Sequence, residues 1–412
     1  MPHSRTRLVQ GRADTSLAPF DSAVETFMKD HMIPGCSLAL SRNGELVLAR
    51  GYSWITDIET PVEPTSLFRL ASISKSLTGA AIVSLMEDGS LTWTGKKDSS
   101  NKLVDLIDMP GTIKDPRVND IRVEHLLFHV GGWNRDANTG GSGIEPTAND
   151  HAVSLDYGMP LPITQEAIIR WMNEKYMLDF TPGSSPGIFD GSEYGAYSDY
   201  GYLLLGRIVE TIAGVPYEQF VQDRLLAPLG IYGMRLGRTL LRSRLPGEVL
   251  YHCASYDLHK NIMIEGEPQN ALLQYGGYFS LENGAASGGW VSSAVDLVRF
   301  ASSLDDPVCP ILSNPSQLTA IHPYAQDPAN YYGFGWYCAR GGANPEYYNG
   351  GLLEGTRTSV IRWQDGTDQL CAALLCNSNA FDSDDWEPRT LMKDAAASIT
   401  SWPTTGFWDD YL

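Results

Sequence analysis

The chain has 412 residues, of which 43% are hydrophobic and 19% charged, a composition typical of a globular protein with a large apolar core. Its formal net charge of −19 argues against binding to nucleic acid or to an anionic membrane surface, because both attract basic patches. The first 17 residues contain no apolar run of signal-peptide length, and we find no segment of membrane-spanning length, so we expect a cytoplasmic protein. The six scattered cysteines form no Cys-x-x-Cys pair and predict free thiols. We expect no metal and no cofactor.

The first predicted elements are a helix and a hairpin. Apolar residues recur at helical spacing from Asp21 to His31, and Pro34-Gly35 ends this helix. Two short apolar runs, 36–41 and 45–51, flank Asn43-Gly44. Because Asn-Gly is the strongest short hairpin signal, the two runs are predicted to pair as antiparallel strands.

From Ser72 to Asp88 the sequence is apolar on nearly all sides, which is typical of a helix in the interior, and Gly89 is placed to end it. Residues 96 to about 284 then show mainly helix and loop signals. The segment 134–162 is polar and without periodicity, so we interpret it as an active-site lid or wall, or as a mobile insertion. The helices predicted in this region are Val123–Phe128, Thr164–Tyr176, Tyr200–Ile212 and Tyr217–Leu226.

Strand signals return near the end of the chain, followed by a last helix over Pro388–Ile399. The pattern predicts an α+β fold with one antiparallel sheet built from both chain ends and flanked by helices. Residues 1–95 and 285–412 would form the sheet region, 96–284 an inserted, mainly helical region, and the active-site cleft would lie between them. The predicted strands are Tyr331–Tyr337, Glu346–Asn349, Arg357–Trp363 and Leu370–Asn377.

The stretch Ser72-Ile73-Ser74-Lys75 places a serine three residues before a lysine at the start of the apolar helix. Positions i and i+3 share a helix face, so the Lys75 ammonium would lie beside the Ser72 hydroxyl. Backbone N–H groups at the same helix start could bind a developing oxyanion. The pattern alone also fits an N-cap serine followed by an exposed lysine. A lysine at the start of an apolar helix, however, is expected to be buried, and a buried lysine needs a hydrogen-bonded partner or a functional role.

A second motif, Tyr197-Ser198-Asp199 followed by Gly201-Tyr202-Leu203-Leu204-Leu205-Gly206, adds a candidate base. With it the chain resembles the serine β-lactamase-like family, which includes class C β-lactamases, D-alanyl-D-alanine carboxypeptidases, and related esterases and acyltransferases. The family's second motif is Tyr-x-Asn, and Asp199 replaces the asparagine. Further segments that match in order are 123–132, 180–183, 227–231, 286–297 and 332–336.

The resemblance implies the β-lactamase/transpeptidase-like fold and a set of site residues. Ser72 would be the nucleophile, and Tyr197 with Lys75 would move the protons, although which of the two is the base stays open. In the third motif, Tyr348 would replace the usual lysine or histidine, and the Gly351 N–H would join that of Ser72 as oxyanion donor. The remaining candidates for the substrate-binding wall are Asn349, Gly350 and Trp290.

Two weaker motifs are better interpreted as structural than as catalytic or metal-binding sites. Gly183-Ser184-Ser185-Pro186-Gly187 fits Gly-x-Ser-x-Gly, but its proline and the absence of a preceding strand indicate a plain turn. His125 and His129 have the spacing of a zinc helix, but Leu126 stands where the metalloprotease glutamate would be, so we interpret both as structural.

The sequence therefore predicts a serine hydrolase that forms an acyl-enzyme with a small-molecule ester, amide or thioester. Because Asp199 would repel anions and Tyr348 offers no cation, we expect a largely apolar substrate that is uncharged or cationic, and neither a β-lactam nor a peptidoglycan peptide. One alternative is an acyltransferase using the same Ser72 acyl-enzyme, and another is a non-catalytic binding or scaffold protein. The oligomeric state is not predicted.

Overall fold

The fold was analysed in a computed structural model, which describes residues 6–411 except 56–59, 136–144, 185–195, 254–256, 265–270, 322, 326, 343 and 380–385. The described part of the chain contains ten α-helices and thirteen strands. The α-helices are α1 Ala18–Asp30, α2 Ser74–Glu87, α3 Val123–Leu127, α4 Asp150–Tyr157, α5 Gln165–Lys175, α6 Asp199–Ala213, α7 Tyr217–Val221, α8 Ala285–Gly288, α9 Ala294–Ser303 and α10 Trp386–Ala397.

The strands form one large antiparallel sheet and two small ones. The eight-stranded sheet has the order β1-β3-β2-β13-β12-β11-β10-β9, and β4-β8-β5 and β6-β7 form the small sheets. The strands are β1 Thr6–Ala13, β2 Gly35–Arg42, β3 Glu45–Ile55, β4 Phe68–Arg69, β5 Arg235–Leu236, β6 Leu258–His259, β7 Ala271–Leu272, β8 Trp290–Ser292, β9 Asn330–Gly333, β10 Trp336–Ala339, β11 Glu346–Leu353, β12 Thr356–Asp365 and β13 Asp368–Cys376.

The large sheet joins the two ends of the chain, because β2 pairs with β13 in the middle of it. Side chains alternate between the two faces of a strand, so each face packs a separate apolar core. One core lies between the sheet and helices α1 and α10, and includes Phe20, Leu38 and Met392. The larger core lies on the opposite face around α2, and includes Leu77 and Val83. The predicted α+β architecture is confirmed.

Helix α2 crosses the centre of the larger core, as its apolar sequence predicted. Every residue from Ser74 to Leu85 is buried. At Gly79 the helix touches the turn between β9 and β10 so closely that a Cβ atom would lie 2.0 Å from the Phe334 carbonyl oxygen. Only glycine allows this approach, which fixes the start of α2 against the large sheet.

The structure refines several predicted elements. The α-helix begins at Ser74, preceded by a 3-10 turn over Ala71–Ile73. The predicted strand 331–337 is two strands, because Phe334 and Gly335 adopt left-handed backbone angles and form a turn. The segment 134–162 is not entirely loop, since it contains α4, although its residues 136–144 lie outside the described part. Strand β1 was not predicted, because its sequence lacks a clear alternation.

Among the residues that the structure describes, no helix is long and apolar enough to cross a membrane.

Asp150, the first residue of α4, is a buried carboxylate in a setting that favours its neutral form. It has no exposed surface, and its Oδ1 accepts a hydrogen bond from Asn283 Nδ2 at 3.0 Å. Its Oδ2 has no hydrogen-bond partner within the described ranges. Burial raises the pKa of Asp150 to about 7.

We therefore expect Asp150→Asn to change how stability depends on pH. A carboxyl whose pKa is raised in the folded state stabilises the fold fully at low pH, and this contribution is lost as pH rises through 7. Between pH 5.5 and 7.5 the natural protein should lose about 2 kcal/mol relative to the variant. Urea unfolding at both pH values measures this difference. The exposed Asp120→Asn is the control, and equal pH dependence in the natural protein and Asp150→Asn would contradict the expectation.

Candidate active site

Ser72 lies in the 3-10 turn between β4 and α2. The segment before it is fixed by the small sheet, since the Leu70 N–H donates to the Trp290 carbonyl at 2.8 Å. Ala71 has a φ of 50°, a left-handed conformation that is unfavourable for a residue with a Cβ. Such backbone strain is concentrated at functional sites, where the surrounding structure holds it in place. The turn presents Ser72 at the open end of α2.

Lys75 is fully buried and has three hydrogen-bond acceptors around its Nζ atom. These are Ser72 Oγ at 3.2 Å, the Ser287 carbonyl at 2.8 Å and a carboxylate oxygen of Asp199. A lysine ammonium has three N–H donors, so the charged form is satisfied here. Burial lowers the pKa of Lys75, although the Asp199 charge opposes this shift. In the neutral form, a lone pair on Nζ would be available to Ser72.

Tyr197 approaches Ser72 from the other side. Its hydroxyl donates to Ser72 Oγ at 2.8 Å, and Lys75 Nζ lies 4.8 Å from the centre of its ring. The His129 ring packs against the Tyr197 ring at 4.4 Å, and its Nδ1 accepts the Ser198 N–H at 3.2 Å. The structure thus brings together the three residues predicted as catalytic, with both candidate bases within reach of one hydroxyl.

Asp199, the first residue of α6, bridges two cations. One carboxylate oxygen binds Lys75, and the other accepts from Arg135 Nη1 at 2.6 Å. Burial alone would raise the pKa of Asp199, but the charges of Lys75 and Arg135 outweigh it and lower the pKa to about 2. Asp199 is therefore ionised, and in this structure its charge is directed at the lysine and the arginine.

Sequence reasoning missed Arg135 and Glu145 as site residues. Glu145 Oε2 accepts the Asp199 N–H at 3.2 Å, and its Oε1 accepts from the Thr147 hydroxyl at 2.6 Å. Burial and the nearby Asp199 charge raise the pKa of Glu145 to about 7. Both residues lie in the polar stretch 134–162, which has no spacing or motif that would assign a role to individual positions. Only the predicted position of this stretch at the cleft was a signal.

Strand β11 forms the opposite wall, and Asn349 on it faces the 3-10 turn Ala71–Ile73, called the nucleophile turn below because it carries Ser72. Asn349 Nδ2 lies 2.7 Å from the Gly335 carbonyl, 3.1 Å from Ser76 Oγ and 3.2 Å from the Ser72 carbonyl. These contacts join β11 to the start of α2. Asn349 therefore positions Ser72 in addition to its predicted place on the binding wall.

The register of β11 and β12 corrects the predicted oxyanion donor. The two-residue turn Glu354-Gly355 connects the strands, so Leu353 and Thr356 form a hydrogen-bonded pair. Hydrogen-bonded and non-hydrogen-bonded pairs alternate along an antiparallel ladder. The Gly351 N–H is therefore directed at Thr358 on β12, and the Leu352 N–H points to the edge of β11 beside the cavity. Together with the Ser72 N–H, the Leu352 N–H is therefore the better candidate for an oxyanion donor.

Gly351 still has a structural reason to be glycine. A Cβ atom there would lie 2.2 Å from the Leu70 carbonyl oxygen and 3.0 Å from the Cβ of Ala71. These residues directly precede Ser72 in the chain. The absent side chain lets β11 approach the nucleophile turn closely.

The structure also corrects the predicted roles of Tyr348 and Trp290. Tyr348 alternates with Asn349 and packs on the α1/α10 side of the sheet, stacked on Tyr337 at 5.3 Å with Arg389 above its ring. It is therefore on the face away from Ser72. Trp290 has no exposed surface and donates to the Tyr217 hydroxyl at 3.1 Å, so it is a core residue that cannot contact a substrate.

Gly350, the remaining residue of the predicted binding wall, is buried between Asn349 and Gly351. It alternates with those two residues, so it shares the strand face of Tyr348. Its contribution to the wall is limited to the backbone of β11.

A cavity of about 670 Å³ opens in front of Ser72. Its wall is drawn from the N-terminal, helical and C-terminal parts of the chain. Apolar wall residues are Ala71, Ala148, Phe279, Leu352 and Leu353. Polar and charged ones, besides Ser72, are Arg135, Glu145, Asn149, Asp199, Tyr278, Glu354 and Asn379. The site thus has the size and mixed lining of a small-molecule pocket.

The two histidines with zinc-like spacing contact other side chains, and His129 packs beside Tyr197. His125 Nε2 is 3.0 Å from both Asp98 Oδ1 and the Tyr324 hydroxyl, and His129 contacts Tyr197 and Ser198 as described. Of the Gly183–Gly187 stretch, Gly183 and Ser184 form a turn, and the other three residues lie outside the described part. Within the described residues, no group of three or more histidine, cysteine, aspartate or glutamate side chains could hold a metal ion.

The fold is found in a known family of proteins. The family model described as Beta-lactamase matches residues 20–397, so the chain belongs to the Beta-lactamase family. A curated relative, penicillin-binding protein 4* of Bacillus subtilis, is 28% identical over 76% of this chain. The chain spans only 61% of the length of that relative.

Solved structures share the fold. The octameric penicillin-binding protein homologue from Pyrococcus abyssi has a TM-score of 0.63 and 20% identity, covering 92% of this chain and 76% of that one. The D-amino acid amidase from Ochrobactrum anthropi, complexed with D-phenylalanine, has a TM-score of 0.62 and 23% identity, covering 92% and 99% of the two chains.

The corrected oxyanion donor can be tested by removing one N–H. Leu352→Pro lacks the backbone N–H, and proline is tolerated on a strand where the N–H faces away from the ladder. In an assay with an activated ester, we expect turnover to fall about 10²-fold to 10³-fold, the usual loss for one oxyanion donor. Leu352→Ala keeps the N–H and should stay within a few-fold of the natural rate. Thermal unfolding would verify that both variants fold, and a folded, fully active Leu352→Pro would show that another group binds the oxyanion.

Proposed function

We propose that this protein is a serine hydrolase that cleaves an ester or amide of a small substrate through an acyl-enzyme on Ser72. One observation carries the proposal. Ser72 Oγ lies 3.2 Å from Lys75 Nζ and 2.8 Å from the Tyr197 hydroxyl, at the wall of a cavity of about 670 Å³. Membership in the Beta-lactamase family supports a serine hydrolase in general.

The reaction would proceed in two halves around Ser72. Its Oγ attacks the substrate carbonyl carbon while its proton passes to the Lys75–Tyr197 pair, and the N–H groups of Ser72 and Leu352 bind the oxyanion. The pair then returns the proton to the leaving alcohol or amine as the carbon–heteroatom bond breaks. In the second half, water attacks the acyl-enzyme and gives one proton to the same pair. The pair returns this proton to Ser72 Oγ as the acyl carbon–Oγ bond breaks, which releases the acid and the free serine.

The charges in the cavity favour a substrate without a carboxylate next to the reacting bond. Glu145, Asp199 and Glu354 are carboxyl groups on its wall, and the Arg135 guanidinium is paired with Asp199. Asn349 on β11 faces the nucleophile turn and carries no charge. Because Asp199 is offset by its two cations, the repulsion of an anionic substrate would come mainly from Glu354, and no unpaired cation lies among the described wall residues. An uncharged or cationic ester or amide fits better.

Amides belong in the proposed substrate range because a structural neighbour with the same fold is a D-amino acid amidase. Its 23% identity to this chain supports a shared fold. For this chain, an amide of an amino acid joins simple esters as a first substrate to assay.

Hydrolysis is favoured over acyl transfer by the exposure of the cavity wall. Leu352 is 54% exposed and Tyr278 45% exposed, so water can reach the region in front of Ser72. A dedicated acyltransferase must exclude water from its acyl-enzyme. Adding amine or alcohol acceptors to an esterase assay separates the two activities, and transfer is the better description if acyl product replaces the free acid.

The nucleophile is tested by labelling with a fluorophosphonate and by turnover of p-nitrophenyl esters. We expect one phosphonyl group per chain on the natural protein, and neither label nor turnover with Ser72→Ala. Ser84→Ala is a matched control, because Ser84 is a buried serine on the same helix, and its hydroxyl donates to the Ala81 carbonyl at 2.9 Å. Ser84→Ala should label normally. Labelling of Ser72→Ala at the natural rate would refute the assignment.

Replacing either candidate base should lower the rate of hydrolysis less than replacing Ser72 does. Lys75→Met and Tyr197→Phe each remove a proton-transfer group, so we expect each to lower the rate of ester hydrolysis about 10²-fold to 10⁴-fold. Steady-state kinetics at several pH values measure this loss. A variant that keeps its full rate at every pH would exclude its residue from proton transfer.

A further inference from the structure

We propose that Arg135 is a positioning residue that offsets the charge of Asp199, so that Asp199 and Arg135 together act on Lys75 as a nearly neutral pair. The inference rests on the proposed function, because it concerns the proton transfer beside Ser72. It goes beyond that function by giving a role to a residue that no motif marks.

The two oxygens of the Asp199 carboxylate contact two different cations. One oxygen contacts Lys75 Nζ, which has no exposed surface. The other accepts from Arg135 Nη1 at 2.6 Å, and the Arg135 side chain is 39% exposed. The buried lysine and the half-exposed arginine therefore share a single negative charge, with the arginine on the cavity side.

Arg135 is itself held in place by Tyr197. Its guanidinium carbon lies 4.4 Å from the centre of the Tyr197 ring, and its backbone N–H donates to the Tyr197 carbonyl at 3.4 Å. Lys75 lies 4.8 Å from the same ring, and the Tyr197 hydroxyl binds Ser72. The five residues form a closed ring of contacts, so a change of charge at Arg135 is transmitted to Lys75 through Asp199.

The charge on Asp199 creates a problem for catalysis that Arg135 relieves. Lys75 can accept the Ser72 proton only when it is neutral, but an unopposed carboxylate at hydrogen-bond distance favours the ammonium form. Burial lowers the pKa of Lys75, Asp199 raises it, and Arg135 lowers it again. Arg135 thus counteracts the effect of Asp199 while leaving its hydrogen bond to Lys75 in place.

Other groups around Lys75 must be considered in any pH experiment. The titration of Glu145 could be mistaken for that of Lys75 in a pH profile, because burial raises the pKa of Glu145 to about 7 and its Oε2 accepts the Asp199 N–H. The titratable or charged side chains that face Lys75 within the described residues are Asp199, Arg135, Glu145, His129, Tyr197 and Tyr202.

The test is the second-order rate constant for phosphonylation of Ser72 by a fluorophosphonate, measured against pH. Arg135→Met should move the midpoint of the profile to higher pH, by between half a unit and about two units, because Lys75 keeps its proton longer. Asp199→Asn should move it to lower pH. The double variant Arg135→Met/Asp199→Asn should return near the natural midpoint, and Arg135→Lys, which keeps the charge, should shift it least.

The controls separate charge compensation from a purely structural role. The series is repeated with Glu145→Gln, which removes the other group that titrates near neutral pH, and thermal unfolding is measured for every variant. If Arg135→Met does not fold, Arg135→Gln takes its place in the same comparison. A lower rate with an unchanged midpoint, or a double variant with no rescue, would overturn the inference. If Ser72 takes up no label in the natural protein, the proposed function itself fails.

Discussion

The buried ammonium of Lys75 is the constraint on which the rest of the site depends. A charged lysine without exposed surface costs several kcal/mol unless it is paired and hydrogen-bonded. Its three acceptors come from three different elements, namely the nucleophile turn, α6 and α8. Satisfying the lysine therefore fixes these elements relative to one another. The same contacts place Ser72 beside its candidate bases.

Close backbone approaches provide the second constraint. Gly79 lets α2 meet the turn between β9 and β10, and Gly351 lets β11 meet the turn that carries Ser72. Both contacts leave no room for a Cβ, so they bring the large sheet and the buried helix together at one place. The cavity lies at this junction, and Arg135 and Glu145 line its helical side. The close backbone contacts and the candidate active site are therefore both located at the start of α2.

The sequence was sufficient to predict the architecture and to single out Ser72, Lys75 and Tyr197, which the structure brings together, because these depend on periodicity and on motifs of fixed spacing. The positions of side chains on β11 were predicted less well. A shift of one residue in a strand exchanges its two faces, so Tyr348 was assigned to the cleft when Asn349 faces it, and Gly351 was chosen when the Leu352 N–H points to the edge. Trp290 was assigned to the cavity because an aromatic residue in a motif does not reveal whether it is buried. Arg135 and Glu145 could not be found, since their roles arise from long-range contacts with Asp199.

The most direct test of this account is to trap the acyl-enzyme. The protein would be mixed with an activated ester, quenched with acid within one turnover, and analysed by intact mass and by fragmentation of its tryptic peptides. The account predicts one acyl group per chain, located on Ser72 in the peptide Leu70–Lys75, which trypsin releases by cleavage after Arg69 and Lys75. An acyl group on Ser74 or elsewhere, or turnover without any covalent adduct when Lys75→Met also leaves the rate unchanged, would contradict it.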